Sequence, residues 1–321
     1  MKKLIKFILF FPLLSLIVSL FFAYCEGRGT QDASFSCLFM GYDAVAENTD
    51  VIFVVSYNSP ENEISFVQIP RDSFTEYKRE YGKINRIYSS SRASGKDRDE
   101  ASRVLKSAVE DYLGIDIDAY VSLSFGALIR FVDEIGGVYI NIPESARLEN
   151  FPIELSYGEN ILNGKKALQF VRERSIYPNA DLGRLDTQKI FLEGVFHTMF
   201  ERLSAKKLVK LILTKDHEVA VDAPLLELSG MLLKNFNEIK SAKTFLLTLP
   251  GEACKYNGVS YYVINRRAAI DAVENYLYGY GENFDRKYRL TDESEPEIND
   301  IYKKEDFSYK VYSDGKVIDI N

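Results

Sequence analysis

The sequence has few of the residues on which common metal and covalent chemistry depends. It contains three cysteines and two histidines among 321 residues. The histidines, His197 and His217, lie in no metal-binding motif, which disfavours histidine zinc sites and Ser-His-Asp triads. The cysteines form no CxxC pair. Cys37 lies in an apolar run and is interpreted as a small core residue, and a bridge between Cys37 and Cys254 stays open.

The charge of the chain excludes a further class of partner. The formal net charge is −7 and no long basic run occurs, so we expect no nucleic-acid partner. No internal repeat is visible either. Hydrophobic residues make up 46% of the chain, which is enough for a sizeable core in one large domain or two.

The long uncharged run of this chain lies at its beginning. Lysines precede residues 7–25, a run of 19 residues without a charge, which is just long enough to span a bilayer. We predict that residues 1–25 form a cytoplasmic end and a single transmembrane helix, followed by a polar linker at 26–34. The remainder then lies outside the cytoplasmic membrane. A cleaved signal peptide or a lipid-modified Cys25 is the alternative.

Apolar runs and helical periodicities alternate over residues 35–279, which predicts an α/β domain with a mixed central sheet sandwiched between helices. Residues 81–97 are interpreted as a loop, and 280–321 as an acidic, weakly ordered tail. Strands are predicted at 35–40, 51–57, 64–69, 119–123, 138–142, 245–249 and 259–264. Helices are predicted at 99–113, 125–135, 163–170, 205–213, 224–236 and 267–277, besides a long helix within the arginine-rich stretch.

An arginine-rich stretch is the first candidate for a site. Arg172, Arg174 and Arg184 fall close together in the sequence. Gln188 follows Arg184 at i+4, on the same face of a long helix that is predicted to open at Gly183. The free N–H groups and the positive dipole end of a helix N-terminus favour an anion, and Arg side chains bind phosphate oxygens bidentately. A solvated charged loop with local ion pairs is the alternative.

Carboxylates lie at the ends of two predicted neighbouring strands. Asp43 ends the run FMGYD, and Asp50 ends NTD before the next strand. Two such carboxylates can hold one hard cation such as Mg2+, with coordination positions left for phosphate oxygens and water. Because Asp is a common turn residue, two turn aspartates are the alternative. Arg71 and Asp72 end the third strand and Lys83 follows; Asp72 and Lys83 are interpreted as ion-pairing or turn residues.

In order and spacing, these segments resemble the LytR-CpsA-Psr family of cell-envelope phosphotransferases over roughly residues 35–250. The motifs that carry the resemblance are GYD, NTD, IPRD, KIN, DEIGGV, LNGKKALQFVRER and DLGRLDTQ. The DEIGGV match is interpreted as a packing and turn feature. The resemblance implies an anchored, extracytoplasmic α/β domain that binds a polyprenyl-pyrophosphate-linked glycan. Such a domain transfers the glycan phosphate to a hydroxyl of peptidoglycan or another cell-envelope acceptor and releases polyprenyl phosphate.

By the same resemblance, the candidate residues take three roles. Asp43 and Asp50 would hold Mg2+ beside the pyrophosphate. The residues expected to act in catalysis are Asp43, as the base for the acceptor, together with Arg71 and Arg184. Phosphoryl transfer gains most from charge neutralisation and positioning, which such cations supply. The pyrophosphate oxygens would be bound by Arg71, Arg172, Arg174, Arg184 and Gln188.

The chain departs from the family pattern at several positions. Ala44 and Val45 follow the first aspartate, where the family usually has Arg, and TQK stands where the family often has Arg-Gln-Gln. At least two family cations are missing, and Lys189 can restore part of that charge. Two other functions are therefore considered. One is a hydrolase of the same lipid pyrophosphate, with water as acceptor, and the other is a non-catalytic binder of polyprenyl phosphates.

Overall fold

A computed structural model of the protein describes residues 34–320, apart from 59, 78–79, 145, 147, 149–150, 174–179, 213–217, 224, 278–295 and 314–315. The chain divides into two compact units. The first comprises the described residues of 24–122, 220–223 and 242–321, and the second those of 123–219 and 224–241. The predicted membrane anchor lies outside the described residues. Within the described part, no helix is both long and apolar enough to cross a bilayer.

Strands and helices alternate along the described chain. The strands are β1 (Ser34–Tyr42), β2 (Thr49–Asn58), β3 (Glu63–Gln68), β4 (Phe74–Tyr77), β5 (Glu80–Lys83), β6 (Ala119–Ser124), β7 (Val138–Ile142), β8 (Gly158–Leu162), β9 (Val219–Val221), β10 (Lys243–Thr248), β11 (Gly251–Tyr256), β12 (Val259–Ile264), β13 (Tyr309–Ser313) and β14 (Lys316–Ile320). The helices are α1 (Asn85–Ala93), α2 (Arg98–Leu113), α3 (Phe125–Ile135), α4 (Gly164–Arg172), α5 (Ala180–Arg202), α6 (Ala205–Ile212), α7 (Leu225–Lys240), α8 (Arg266–Tyr276) and α9 (Pro296–Tyr302).

Eight of these strands form one mixed sheet, in the order β14-β13-β10-β3-β2-β1-β6-β9. Strands β3 and β10 pair in parallel, whereas β1 with β2, β2 with β3, β10 with β13 and β13 with β14 pair antiparallel. Three two-stranded sheets, β4–β5, β7–β8 and β11–β12, accompany the main sheet. The predicted mixed α/β architecture is therefore confirmed.

The central strands are apolar because the side chains on both of their faces are buried. Val54 of β2 packs in one cluster with Leu105 of α2 and Val273 of α8, so these helices cover one face of the sheet. Successive side chains of a strand point to opposite faces. Cys37 is buried, as the apolar run around it predicts, and both Cys37 and Cys254 are free thiols.

Capping residues explain where two predicted helices begin and end. The Asp97 carboxylate accepts a hydrogen bond from Glu100 N at 2.8 Å, and the Glu100 carboxylate accepts one from Asp97 N at 3.2 Å. This reciprocal pair satisfies two free donors at the start of α2. Gly114, with φ 68°, ends that helix in the left-handed conformation that glycine adopts readily. Asn163 caps α4 by accepting from Lys166 N at 3.0 Å, as predicted.

The DEIGGV run packs the second unit, as interpreted from the sequence. Gly136, with φ 90°, ends α3. The Asp133 carboxylate accepts a hydrogen bond from Gly164 N at 2.8 Å, which ties α3 to the start of α4. A side chain on Gly164 would collide with the Ile129 carbonyl, so glycine is required at this close approach.

The prediction of a loop over residues 81–97 is wrong. Strand β5 ends within this range, and helix α1 lies wholly inside it. The serine-rich composition conceals a short helix that buries Ile87 and Tyr88. The hydroxyl of Ser91 does not disrupt that helix, because it donates to the Ile87 carbonyl at 2.8 Å.

The prediction of a weakly ordered tail is also wrong for the described part of residues 280–321. This segment forms α9 and the strands β13 and β14, which extend the main sheet. Tyr309 and Val311 are buried, and the Tyr309 hydroxyl donates to Asp271 Oδ2 at 2.5 Å. The buried Asn265 amide donates to the carbonyls of Ile301 and Lys304 at 3.0 and 2.8 Å. The folded domain therefore continues beyond the predicted boundary at residue 279.

Candidate active site

The two metal-site aspartates flank one tight connection. Strands β1 and β2 are antiparallel, so the end of β1 and the start of β2 share an edge of the sheet. Tyr42 pairs with Thr49 while Gly41 pairs with Val51, so Asp50 lies at an irregularity in the ladder and has no residue directly opposite it. A bulge of this kind redirects a side chain, and bulges are common beside active sites.

Asp43 shapes this connection with its own carboxylate. Its Oδ1 accepts hydrogen bonds from Val45 N at 2.8 Å and Ala46 N at 3.2 Å. Its carbonyl accepts a further hydrogen bond from Glu47 N at 2.7 Å. Asp43 therefore acts as a turn residue in the folded chain, and the same bonds fix the direction of its carboxylate. A ligand role for this carboxylate stays a prediction.

A run of four alternating charges starts at Asp50. Arg71 Nη1 donates to Asp50 Oδ1, Arg71 Nε lies 3.8 Å from Asp72 Oδ1, and Lys83 Nζ lies 3.1 Å from the same oxygen. We call these residues the charge ladder: Asp50, Arg71, Asp72 and Lys83. Their side chains are 19–24% exposed, so the ladder is partly buried and still open to a ligand. The ion pair of Asp72 with Lys83 confirms the interpretation made from the sequence.

Strand pairing brings the members of the charge ladder together. The end of β3 lies beside the start of β2, with Ile69 N donating to the Ile52 carbonyl at 2.9 Å. Arg71 follows two residues later and thereby reaches Asp50. The KIN segment closes on the same turn, because Asn85 N donates to the Arg71 carbonyl at 3.2 Å.

Polar atoms without a partner accumulate at this turn. Within the described part of the chain, the buried atoms Arg71 Nε, Ser73 Oγ and Asn85 Oδ1 form no hydrogen bond with protein atoms. Buried polar atoms are rarely left unsatisfied, and an exception points to a bound water, ion or ligand. The turn after β3 is therefore a plausible place for an external polar group.

Glu47 and Arg92 form a contact that the sequence analysis missed. Arg92 of α1 donates from Nη2 and Nε to Glu47 Oε1, at 2.7 and 3.1 Å. The hydrogen bond to Glu47 raises the pKa of the Arg92 guanidinium. This contact fastens the connection between Asp43 and Asp50 to α1. Nothing in the sequence indicated that Arg92 contacts Glu47, because residues 81–97 were predicted to be a loop and not a helix.

The arginine-rich stretch lies in the second unit, and the structure describes part of it. Arg172 is in the last turn of α4, and its guanidinium lies 5.3 Å from the ring centroid of Phe125. Gln188 is buried, and its Nε2 donates to the Val171 carbonyl at 3.2 Å. Gln188 thus satisfies a carbonyl at the end of α4 and fixes the backbone beside Arg172. Arg174 and the side chain of Arg184 lie outside the described residues.

The long helix begins earlier than predicted. Helix α5 starts at Ala180, so the prediction that Gly183 opens it is wrong. Arg184 is consequently the fifth residue of the helix, and its N–H lies beyond the first four that have no intrahelical partner. Lys189, which could restore missing family charge, forms an ion pair with Asp186 at 2.8 Å. The backbone N–H of Arg184 is therefore not one of the free donors at the start of α5, and a role for its side chain stays a prediction.

The donor set suits a hard cation. Within the described part of the chain, no group of three or more His, Cys, Asp or Glu side chains could enclose a metal ion. Mg2+ is commonly held by one or two carboxylates together with substrate phosphates and water, so Asp43 and Asp50 fit that chemistry. The convergence of these aspartates and Arg71 with Arg172, Arg174, Arg184 and Gln188 stays a prediction.

The fold and the described charges define a mixed α/β domain with a polar, partly buried charge cluster at one sheet edge. A model of the LytR_cpsA_psr family matches residues 23–277, and the chain belongs to that family. Its curated relatives include the polyisoprenyl-teichoic acid–peptidoglycan teichoic acid transferase TagU of Bacillus licheniformis, 26% identical over 74% of this chain and 75% of the relative. TagU of Halalkalibacterium halodurans is 29% identical over 77% and 79%, respectively.

Solved structures agree on the fold. TagT bound to LIIa-WTA has a TM-score of 0.62 and 22% identity, and the match covers 78% of this chain and 94% of that structure. A protein of Enterococcus faecalis described as a transcriptional regulator has a TM-score of 0.63 and 20% identity, with 79% and 91% covered. At these identities the likeness supports the fold alone.

Proposed function

We propose that this protein is a Mg2+-dependent phosphotransferase that moves a glycopolymer from a polyprenyl-pyrophosphate carrier to a hydroxyl of peptidoglycan or a similar cell-wall acceptor. The observation that carries the proposal is the contact of Asp50 with Arg71 at the β1–β2 edge, in a chain of the LytR_cpsA_psr family. Relatives named as teichoic acid transferases support the same reaction class.

The reaction exchanges a phosphoanhydride bond for a phosphoester bond. The acceptor oxygen forms a bond to the phosphorus that carries the glycan, and the bond from that phosphorus to the bridging pyrophosphate oxygen breaks. Polyprenyl phosphate leaves with the bond electrons, and the acceptor proton passes to a base, for which Asp43 is the candidate. Mg2+ held by Asp43 and Asp50 would neutralise phosphate charge when bound.

The arginines stabilise the charge that this exchange moves onto the leaving phosphate. Arg71 is already positioned by Asp50, so little reorganisation is needed when the substrate arrives. The Arg71 side chain is 22% exposed, and its guanidinium is a group suited to a phosphate oxygen. In this proposal Arg172, Arg174, Arg184 and Gln188 complete the pyrophosphate site, with Gln188 also holding the end of α4.

Removal of single site charges tests the assignment. Asp50→Ala and Arg184→Ala are expected to fold normally and to lose about tenfold to a hundredfold in Mg2+-dependent transfer, the effect of one charge-assisted contact. The measurement combines thermal unfolding with turnover of a polyprenyl-pyrophosphate glycan, and Lys255→Ala, an exposed lysine on β11, serves as the control. Wild-type turnover in both variants, or losses explained by unfolding, would contradict the site.

The products separate the transferase from its alternatives. A transferase makes an acceptor-linked glycan, whereas a hydrolase releases phosphorylated glycan without acceptor. A binder retains the lipid and makes neither product. The family usually has an Arg shortly after the first aspartate, whereas this chain has the exposed Val45 there. This missing cation is the observation that favours the binder.

The membrane anchor is part of the proposal. The uncharged run at residues 7–25 after basic residues should keep the full-length protein in the cytoplasmic membrane, with its bulk outside. Cell fractionation with protease accessibility measures this. A soluble mature form that starts near Cys25, or a lipid-modified Cys25, would replace the anchor.

A further inference from the structure

A polar cavity lies in the first unit, next to the charge ladder. It is a cleft of about 360 Å3 between the β4–β5 hairpin and one face of α1. Side chains at positions 83, 86, 87, 90, 91 and 94 form the α1 wall and its approach, at helical spacing. The volume is within the range of small-molecule sites. Lys83 lines the cleft and also ends the charge ladder, so the two sites adjoin.

The described residues that line the cleft carry an excess of positive charge. Lys83, Arg86 and Lys96 are among them, and none of these described lining residues is Asp or Glu. Lys83 is bound to Asp72, but within the described chain neither the Arg86 guanidinium nor the Lys96 ammonium has an ion-pair partner. Arg86 and Lys96, two cations of one cleft without ion-pair partners in the described chain, repel each other when the cleft is empty. That arrangement is favourable once an anion binds between them.

The uncharged walls of the cleft suit a sugar ring. The Tyr81 ring is 44% exposed and is held by stacking on Phe74, with centroids 5.4 Å apart and planes inclined by 11°. Ser91 and Ser94 donate their hydroxyl protons to α1 carbonyls, so their oxygens stay able to accept hydrogen bonds. A fixed aromatic face with hydroxyl groups beside it can contact both the C–H face and the hydroxyls of a pyranose.

We propose that this cleft binds the acceptor, a carboxylate-bearing glycan, and holds it beside the charge ladder. The proposal rests on the transferase function and names the acceptor subsite of the same reaction. Arg86 and Lys96 bind carboxylates of the acceptor, while Tyr81 and the serines contact its sugar. A chain of polyol phosphates carries the same negative charge but offers no ring face to Tyr81, so the acceptor is favoured over the phosphate-rich donor polymer.

Direct binding tests the cleft without requiring turnover. The full-length protein is titrated calorimetrically, at low ionic strength, with a soluble disaccharide-peptide fragment of peptidoglycan that has free carboxylates. Arg86→Gln and Lys96→Gln are each expected to weaken binding about fivefold, the effect of an exposed charge pair. Lys255→Gln changes an exposed lysine on β11 that does not line the cleft, and this variant should bind as the wild type does. The fragment with amidated carboxylates should bind to the wild type about as weakly as the free-carboxylate fragment binds to the double variant Arg86→Gln/Lys96→Gln.

Three results would overturn the inference. The first is equal binding of the amidated and free-carboxylate fragments, and the second is wild-type affinity in both cleft variants. The third is tighter, Arg86-dependent binding of a glycerol-phosphate oligomer, which would assign the cleft to the donor polymer. Retention of polyprenyl pyrophosphate is measured in parallel. If the fragment binds through the cleft and no transfer occurs, the proposed reaction is contradicted and the assignment of the cleft still holds. If transfer occurs and the cleft variants do not affect it, the assignment of the cleft is contradicted and the proposed reaction still holds.

Discussion

Two adjoining regions of the first unit differ in whether their charged side chains form ion pairs. In the charge ladder each acid has a basic partner, Asp50 with Arg71 and Asp72 with Lys83. In the cleft beside it, Arg86 and Lys96 have no ion-pair partner within the described chain. Paired charges hold each other in position before a ligand arrives, whereas unpaired cations attract an anion without being fixed themselves. The ladder is therefore suited to positioning the reaction, and the cleft to capturing a substrate.

The largest expected effect follows from breaking the ladder at Arg71. Arg71→Ala leaves the partly buried Asp50 carboxylate without its cation and removes the proposed donor to the pyrophosphate. We expect transfer to fall by about a hundredfold or more and the melting temperature by about 2–4 °C. Steady-state turnover and calorimetry measure the two effects. Arg71→Lys keeps the positive charge but loses the planar guanidinium and its bidentate hydrogen bonding, so it should recover only part of the rate.

The double variant Asp50→Ala/Arg71→Ala decides between a structural pair and a functional one. If the contact is only structural, removing both partners restores stability and activity together, because no uncompensated charge remains. If both residues act on substrate and metal, stability recovers while transfer stays low. Recovery of transfer to wild-type levels would contradict the proposed roles.

A smaller effect is expected from Arg92, which positions the connection between the two candidate metal ligands. Arg92→Ala removes two hydrogen bonds to Glu47 and so releases the turn that carries Asp43 and Asp50 from α1. We expect transfer at limiting Mg2+ to fall about fivefold to tenfold, with less loss at saturating Mg2+. The readout is the Mg2+ concentration at half-maximal rate.

A surface arginine supplies the control for this variant. Arg103 on α2 is more than half exposed and pairs with Asp99 one helical turn away. Arg103→Ala should leave the Mg2+ dependence unchanged. A parallel loss at all Mg2+ concentrations in Arg92→Ala would show that the turn affects folding or donor binding and not metal binding.

The comparison also shows which parts of the site could be predicted. The sheet order places the ends of β1 and β3 beside the start of β2, and apolar runs predict these strands because their side chains are buried on both faces. The motifs around Asp43, Asp50 and Arg71 were therefore recognisable. The cleft was not, because it depends on α1, whose serine-rich sequence resembles a loop until Ile87 and Tyr88 are seen to be buried.

The tail illustrates a second physical reason for failure. Tyr309, Val311 and Ser313 alternate with more exposed residues, which is the period of a strand with one buried face. That pattern is short, and what stabilises it is non-local: Asn265 and Asp271 hold the segment from far along the chain. Contacts of this kind leave no local signal. The same holds for Glu47 with Arg92, which are 45 residues apart.

The smallest expected effect concerns an acid that lacks the kind of partner found in the ladder. Asp222 forms no ion pair within the described chain, although its Oδ1 accepts a hydrogen bond from Tyr120 N at 2.5 Å. Asp222 is exposed as a residue, but partial desolvation of its carboxylate raises its pKa above the ordinary value, against the opposing effects of that hydrogen bond and of Lys106. The folded protein therefore holds this proton more tightly than the unfolded chain does. The resulting stabilisation is fully present below the unfolded-state pKa, about 3.9, and is lost as the pH rises through the folded-state value.

Asp222→Asn converts this pH dependence into a measurable difference. The asparagine oxygen can still accept from Tyr120 N, but the side chain never ionises, so the variant avoids partly desolvating a charge at neutral pH. Because solvent screens an exposed carboxylate, we expect its melting temperature at pH 7 to exceed that of the wild type by about 1 °C at most, and the difference to vanish near pH 3.5. Calorimetry at the two pH values measures it. A variant that is less stable at pH 7 would mean that the Asp222 charge is stabilising without a direct cation, and the contrast with Asp50 would then fail.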